Sequence, residues 1–374
     1  MVTVISLLIN FLSCSINASK TWKQSRDLSY TFDDFLSEFS LYSNVNAKEL
    51  QLRKDLFNAE ISRVVAHNQK NLTWKEGINQ FSAMTIDEKK KYFGRTTHDK
   101  KKFVSQHYSA ENSAKSVSSL PESVDWRTAG VVSTIKDQGR CGSCWAFAST
   151  ATIESHVALN SGLLFELSVQ QIAMCSPNPN ECGGTGGCQG STAELAFDYL
   201  ATNSVGIFEE YQYSYASYYG QDFTCSLPNV EAVATISGFI KLPGNNYTAL
   251  MNAVATVGPM AINVDASNWH AYESGVYAGC DAANPDVNHV VVTVGYGEEA
   301  GGKYWLVRNS WSPSWGEKGY IKLARFDNDE ELCGEDVTPQ DGVECADAAD
   351  VPVKVCGTCG AIYDSSYPIG AVAF

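Results

Sequence analysis

Positive charge is scarce in this 374-residue chain: 27 Lys and Arg stand against 42 Asp and Glu, a formal net charge of −15. That balance excludes a general binder of nucleic acid or of anionic membranes, because both require a basic surface. Long apolar runs are lacking too. Val2–Leu12 is apolar except for Thr3, Ser6 and Asn10, which is too short to span a bilayer. Small residues follow at Ser13, Ser15, Ala18 and Ser19, so residues 1–18 are predicted to be a cleaved signal peptide with a weak positive n-region. No later stretch stays apolar for 18 residues, and the mature chain is expected to be soluble, with no membrane span. No internal repeat is apparent.

What is present suits a folded, exported protein. An apolar fraction of 44% and a charged fraction of 18% are globular values. Twelve cysteines are many for a reducing cytosol and point to an oxidising compartment, where sequons at Asn17, Asn71 and Asn246 are permitted. The charge is unevenly spread: residues 1–119 carry a net +5 and residues 120–374 a net −20. Apolar residues Phe32, Phe35, Leu36 and Phe39, then Leu50, Phe57, Ile61, Val64 and Val65, recur near helical spacing and predict two amphipathic helices. The polar stretch Thr96–Ser119 predicts an exposed linker at the point where the charge changes sign. Beyond it, Cys144–Leu159 predicts a buried helix, with further helices at Ser168–Met174 and Ser191–Leu200. Strands are predicted at Pro259–Asp265, His289–Gly295, Tyr304–Arg308 and Gly319–Leu323. A helical half before a β half implies an α+β protein of two lobes.

The sharpest segment is Gln138-Gly-Arg-Cys-Gly-Ser-Cys-Trp-Ala-Phe147. Cys144 stands at the predicted start of the buried helix, where unpaired N–H groups and the helix dipole favour thiolate over thiol. Gly142 would let a bound chain approach the backbone. Two cysteines three apart suit a structural staple or half of a metal site equally well. A thiolate nucleophile, however, needs an imidazole to hold the ion pair and later protonate the leaving amine, and a group to orient that imidazole. His289 opens the strand-like run Asn288–Gly297, and Asn309 lies in Arg308-Asn-Ser-Trp311 on a neighbouring predicted strand. The Asn309 amide would accept the imidazole N–H, and Trp311 would cover that bond from water. His67, His98, His107, His156 and His270 have no comparable context.

Cys141-Gly-Ser-Cys-Trp145 with a distant His and Asn resembles the papain/cathepsin signature. Leu120–Arg127 is similar to a mature N-terminus of that family, and Asn309–Gly316 to its Asn-region motif. The likeness, of the cathepsin L type, covers nearly the whole chain. It implies a two-lobed α+β catalytic domain, a helical lobe plus a β-barrel-like lobe, over residues 120–374. An inhibitory propeptide and linker would precede it over 19–119, and a Cys-containing extension would begin near 339. By position, Cys144 would be nucleophile, His289 its partner, Asn309 the orienter and Gln138 a side-chain oxyanion donor beside the Cys144 N–H. Glu49, Arg53, Phe57, Val64 and Asn68 fall at the spacing of the family's propeptide helix, although Glu60 stands where Asn is usual. Gly77–Phe81 fits its next motif, but Ala83 replaces an Asp. Such a segment runs through the cleft in reverse and blocks it. Acid would weaken the attraction between the oppositely charged parts and let the linker be cut.

The family pattern also pairs Cys141 with Cys188, Cys175 with Cys225, and Cys280 with Cys333. With Cys14 in the signal and Cys144 free, Cys182, Cys345, Cys356 and Cys359 remain. They suggest two further disulfides tying the tail to the loop Ser176–Gly187, with a four-cysteine zinc site as the rival. The resemblance builds the S2 pocket from Thr192, Ala193, Asn263, Val287 and Thr338, with Gly190 and Ser191 binding substrate backbone and Trp311 beside them. Uncharged walls imply medium apolar P2 residues over Arg. The expected protein is thus a cysteine endopeptidase zymogen without cofactor or metal, monomeric, acting on peptides or proteins. It would be open to cystatin-type inhibitors and destined for lysosome, vacuole or secretion. The alternatives are an inactive peptide-binding homologue and a secreted disulfide-rich structural protein.

Overall fold

The computed structural model of the protein describes residues 20–94, 116–202, 206–346, 348 and 351–374. The expected signal peptide, the Asn17 sequon and most of the expected linker lie outside the described residues.

The front segment folds around its own aromatic core. It comprises α1 (Trp22–Ser25), α2 (Phe32–Phe39), α3 (Ala47–Asn68), β1 (Trp74–Glu76) and α4 (Ile86–Lys90). A capping box starts α2: the Thr31 hydroxyl accepts the Asp34 N–H at 3.2 Å, and the Asp34 carboxylate accepts the Thr31 N–H at 3.0 Å. Thr85 and Glu88 do the same for α4. Most of the apolar stripe anticipated from the spacing closes against Trp22 and Tyr30, with Phe35 and Phe57 ring centroids 5.1 Å apart, while Leu50, in the first turn of α3, is exposed instead. Burying one such ring contributes about 2–3 kcal/mol.

The main body begins with β2 (Val124–Asp125), α5 (Cys144–Ser161), α6 (Val169–Cys175) and α7 (Ala193–Thr202). Then come β3 (Ala234–Thr235), β4 (Gly238–Lys241), α8 (Tyr247–Thr256), β5 (Met260–Val264) and β6 (Tyr272–Tyr277). The chain continues through β7 (His289–Glu299), β8 (Gly302–Arg308), β9 (Tyr320–Ala324), β10 (Cys333–Asp336), β11 (Val353–Cys356), β12 (Asp364–Ile369) and β13 (Val372–Ala373). α5 is rich in Ala, Ser and Thr, and Cys144–Ala158 are all buried, as expected of a helix enclosed by other elements. Its hydroxyls turn inward, Thr152 donating to the Ala148 carbonyl at 2.8 Å and Ser155 to that of Ala151 at 3.0 Å.

The large sheet runs β1-β6-β9-β8-β7-β5-β12-β4, with β2 beside β7. Two cores flank it. One gathers α5, α6 and α7 with Val290, Val292 and Val294 of β7; the other gathers α8 and the Trp-rich strands with Val291 and Tyr296 of the same β7. The period of two divides Val290–Val294 of β7 between the lobes, and a register shift between Thr293 and Gly295 turns Tyr296 to the side of Val291. β1 pairs antiparallel with β6, Trp74 opposite Gly275, so the front segment adds an edge strand to the body.

Five disulfides occur among the described residues. Cys141 bonds Cys188 and Cys175 bonds Cys225. Cys280 does not bond Cys333: its partner is Cys359, while Cys333 joins Cys356 across the β10–β11 hairpin. The chain therefore makes an extra hairpin before returning to the cysteine that reaches Cys280. Cys182 bonds Cys345, joining the loop after α6 to the loop after β10. Cys356 and Cys359 are both spent in disulfides, which leaves no thiolate pair there for zinc.

The tail differs from the expectation of an appended extension. β12 lies between β5 and β4, Ser366 facing both Ala261 and Lys241. Its Asp-Ser-Ser-Tyr-Pro composition is poor in strand formers, so no pattern in sequence announced it. Pro368 sits past the end of the β5 ladder, where one flank needs no donor. Truncation after Gly360 removes an interior strand. Such a chain is expected to yield no soluble precursor with native near-UV circular dichroism, whereas loss of a dispensable tail would leave the spectrum unchanged.

Candidate active site

α5 and β7 carry the central pair. Cys144 is the first residue of α5, fully buried, and the free cysteine among the described residues. Its sulfur accepts backbone N–H groups from Val290, Trp145 and Gly94. Val290 follows His289 in β7, so the sulfur at the head of the helix lies against the start of that strand. The His289 Nε2 bonds the Asn309 side-chain oxygen at 2.8 Å, and Nδ1 is buried without a hydrogen-bond partner. The Asn309 oxygen also accepts the Ser310 N–H at 2.8 Å, which fixes the amide. Trp311 lies over this arrangement, its ring centroid 4.8 Å from that of His289. The same turn that carries Asn309 thus brings its own cover.

Gln138 is wholly buried. Its amide N–H₂ donates to the Cys141 carbonyl at 2.8 Å and to the Tyr92 carbonyl at 3.0 Å. Its oxygen accepts from the Ser310 hydroxyl at 2.6 Å. Tyr92 belongs to the front segment, so a carbonyl from that segment occupies a donor suited to an oxyanion. A Cβ at Gly142 would stand 2.6 Å from the Phe93 carbonyl oxygen, and one at Gly190, where φ is +92°, would overlap the Gly94 carbonyl. Both glycines let the front segment lie backbone to backbone in the cleft. Gly94 donates its N–H to the Asn288 carbonyl at 3.1 Å.

Aromatic contacts hold that segment down. Phe81 packs on Trp311 at 5.3 Å and on His270 at 4.9 Å, and Phe93 lies 6.2 Å from His289. Gln80 donates to the Trp311 carbonyl at 2.9 Å. The resulting dryness shifts both central groups. Burial pushes the Cys144 thiol up to about 11, against the amide hydrogen bonds that favour thiolate, and lowers His289 to about 4. Between those values thiol and imidazole are both neutral in the precursor.

The pocket residues divide. Thr192 and Ala193 stand at the start of α7, Ser191 just before it, and Val287 and Asn263 are buried on the opposite lobe. Thr338 is not the residue paired with Asn263 across the sheet. It belongs to the extra excursion, with its N–H bonded to Asp336 at 2.8 Å. Thr338 is five residues past Cys333, and the same offset from Cys359, the true partner of Cys280, reaches Asp364. Asp364 is the register partner of Asn263 and forms an ion pair with Lys241 at 2.9 Å. Burial raises its carboxyl in spite of that ammonium. Sequence reasoning missed Ser310, which positions Gln138, although it lies inside the Asn309 motif. It also passed over His270, which stacks on Trp311 at 5.1 Å and is lowered to about 3, chiefly by burial. Nothing in the local pattern around His270 marked it.

The comparisons agree with this architecture. The model of the papain family cysteine proteases matches residues 120–340. The KDEL-tailed cysteine endopeptidase of Arabidopsis thaliana is 36% identical over 89% of this chain and 91% of its own length. Cathepsin L of Sarcophaga peregrina is 36% identical over 77% and 85%. The solved structure of digestive procathepsin L2 from Tenebrio molitor larval midgut superposes with a TM-score of 0.72 at 32% identity, covering 90% of this chain and 98% of that one. The chain belongs to the papain family and is a cysteine endopeptidase made as a precursor.

Proposed function

We propose that Cys144 attacks the peptide carbonyl, with His289 as its acid–base partner, Asn309 orienting that imidazole, and Gln138 and the Cys144 N–H binding the oxyanion. The observation that carries this is the His289 ring: Nε2 is fixed by Asn309, Nδ1 is left unpartnered, and the next residue's N–H reaches the sulfur. Proton transfer from thiol to Nδ1 gives the ion pair. The thiolate adds to the carbonyl, and the imidazolium proton goes to the departing amine as the C–N bond breaks. Water, deprotonated by the same imidazole, then splits the thioester, releasing the acid and restoring the thiol. No observation favours an inactive homologue.

The front segment, residues 19–119 with its linker, acts as the inhibitor and would leave a mature chain starting near Leu120. It acts by displacing water as well as substrate. With Gly94 over the sulfur and Phe93 beside the imidazole, the ion pair is disfavoured, so inhibition includes chemical silencing of the nucleophile. In the precursor, iodoacetamide should alkylate Cys144 at least about 100-fold more slowly than in the processed enzyme. Equal rates would sink the dry-site account. A Cys144→Ala precursor should not process itself in acid.

Acid activation is read from the front segment's own ion pairs. Ala83 provides no carboxylate, but Arg53 bonds its backbone carbonyl at 3.0 Å and pairs with Glu49 at 2.5 Å and with Glu88. Although burial opposes it, Arg53 and the Thr85 N–H hold Glu88 down at about 2. A carboxyl depressed on folding contributes stability that is full above its unfolded value of about 4.3 and lost as pH falls through the folded value. Glu60, paired with Arg63 at 3.0 Å, is also lowered. The segment should therefore loosen progressively below about pH 4.3. Glu88→Gln should move self-processing, followed by gel against pH, to distinctly less acidic conditions. An unmoved profile would remove Glu88 from the trigger.

We read the S2 pocket as Thr192, Ala193, Val287, Asn263 and Asp364, with Gly190 and Ser191 on the substrate backbone and Trp311 beyond the catalytic pair. Lys241 neutralises Asp364, which supports the apolar P2 preference. Lys241→Met should raise kcat/KM for P2 Arg relative to P2 Leu by about tenfold, measured on matched peptidyl amides. The five disulfides support an oxidising, secretory destination, in lysosome, vacuole or outside the cell. Peptides and proteins are its substrates, and cystatin-type inhibitors would contact the unmasked cleft of a monomer.

A further inference from the structure

Ser143 opens α5 without capping it. Its backbone stands at φ −100° and ψ 18°, where a residue in that place is usually extended, and its side chain accepts no N–H of the first turn. The Ser143 carbonyl accepts the Ala146 N–H at 2.9 Å and the Phe147 N–H at 3.1 Å. That ψ sets the plane of the peptide joining Ser143 to Cys144, and the Cys144 N–H turns toward its own sulfur. One of the two proposed oxyanion donors therefore depends on a backbone angle that an ordinary helix start does not supply.

The Ser143 hydroxyl is engaged elsewhere. It lies 2.8 Å from the Tyr215 hydroxyl, which donates to the Gln138 carbonyl at 2.9 Å. A phenol has one proton. Because the carbonyl can only accept, that proton goes to Gln138, and Ser143 is the donor to the phenol oxygen. Ser143 and Gln138 are both wholly buried, so neither can turn to solvent instead. Gln138 is held from a second side, its backbone N–H donating to the Ser310 carbonyl at 2.9 Å. Tyr215 is itself fixed. Its N–H donates to the Glu210 carboxylate at 2.7 Å, and the next two N–H groups share the Gln170 side-chain oxygen at 2.9 and 3.3 Å. Its ring meets Phe147 edge-on with centroids 4.9 Å apart, and Phe147 lies one turn along α5 from Cys144. Burial above all, with the charges of Asp137 and Cys144 nearby, raises the pKa of the phenol, which keeps its proton for the bond.

We propose that Tyr215 is a positioning residue for the oxyanion hole, its hydroxyl tying the residue before Cys144 to the residue that bears the Gln138 amide. The inference rests on the reading of Gln138 and the Cys144 N–H as oxyanion donors. Tyr215 acts through these two and gives nothing to substrate, since its one proton is already committed. The two donors come from different stretches of chain, and the phenol is the side chain that joins them.

The experiment uses the processed enzyme. Gln138→Ala is measured first: an unchanged kcat/KM for a peptidyl amide would overturn the oxyanion reading, whereas the results that follow bear on Tyr215 alone. Loss of a whole donor costs about 10²–10³ in kcat, so donors that stay in place but aim less well should cost less. Tyr215→Phe should lower kcat about tenfold with KM within about twofold. It should weaken a peptidyl aldehyde, whose hemithioacetal oxygen takes the place of the oxyanion, by about the same factor. Iodoacetamide alkylates Cys144 without forming an oxyanion, so its rate should stay within about twofold of the wild type and its pH profile should not move. Ser143→Ala should give the same split at a smaller size, and the double variant should lose less than the product of the two single losses. An unchanged kcat, a loss confined to KM, or alkylation slowed in step with kcat overturns the proposal. Should Tyr215→Phe not fold, Ser143→Ala decides by the same three readings.

Discussion

Exclusion of water from the gap between Cys144 and His289 is the constraint on which the rest of the precursor turns. One surface serves two states. In the precursor, Trp311 and His270 receive Phe81 and Phe93, and the sulfur is covered by Gly94. Without the front segment, Trp311 still shields the Asn309 bond to His289, but the side of the imidazole bearing Nδ1 opens to solvent. Desolvation destabilises the ion pair far more than the neutral pair, so on the proposed mechanism uncovering the groove would favour the reactive form.

That arrangement demands that two cores be held in register. β7 achieves part of this by presenting alternate residues to each. A buried polar network does the rest. Arg308 of β8 donates to the Ser133 hydroxyl at 2.9 Å, and Ser133 donates to Glu154 of α5. Glu154 also accepts from Lys136 and, at 2.7 Å, from the Leu167 N–H. Every oxygen of this buried carboxylate is thereby satisfied, which is the condition under which such a network fixes geometry instead of weakening the fold. Asn309 directly follows Arg308, and Cys144 heads the helix that carries Glu154. The network therefore ties Cys144 to Asn309 from ten residues away along α5.

Much of the site was legible because its residues sit where local chemistry is distinctive. A cysteine before an apolar Ala-rich run, a histidine opening a β-branched strand and an asparagine before Ser-Trp each carry a pattern that does not depend on the rest of the fold. The helices of the front segment were legible for the same reason, through Phe32, Phe35, Phe57, Ile61 and Val64. β12 and the partner of Cys280 were not. A disulfide depends on two Cα atoms meeting in space, and spacing along the chain fixes no pairing when a hairpin has been inserted between candidates. Taking Cys333 for the partner shifted the count by the length of that hairpin and named Thr338 where the proposed pocket has Asp364, the register partner of Asn263. An uncharged pocket was inferred, whereas the proposed reading brings in the Asp364–Lys241 ion pair.

The charge asymmetry between the two parts was equally legible, yet its physical role differs from the one composition suggests. The front segment's guanidinium groups mostly find partners within that segment: Arg53 with Glu49 and Glu88, Arg63 with Glu60 and Glu76. Arg26 reaches across to Glu273 at 3.3 Å, half-exposed. Exposed charges further apart than about 8 Å are largely screened at physiological salt, whereas aromatic burial and the β1–β6 ladder are not. Docking therefore rests on Phe81, Phe93, Trp74 and backbone pairing, and charge acts one step earlier by keeping the front segment folded enough to present them. On the proposed acid trigger, breaking the internal pairs would undo the shape of the inhibitor, and the apolar contacts would be lost as a consequence.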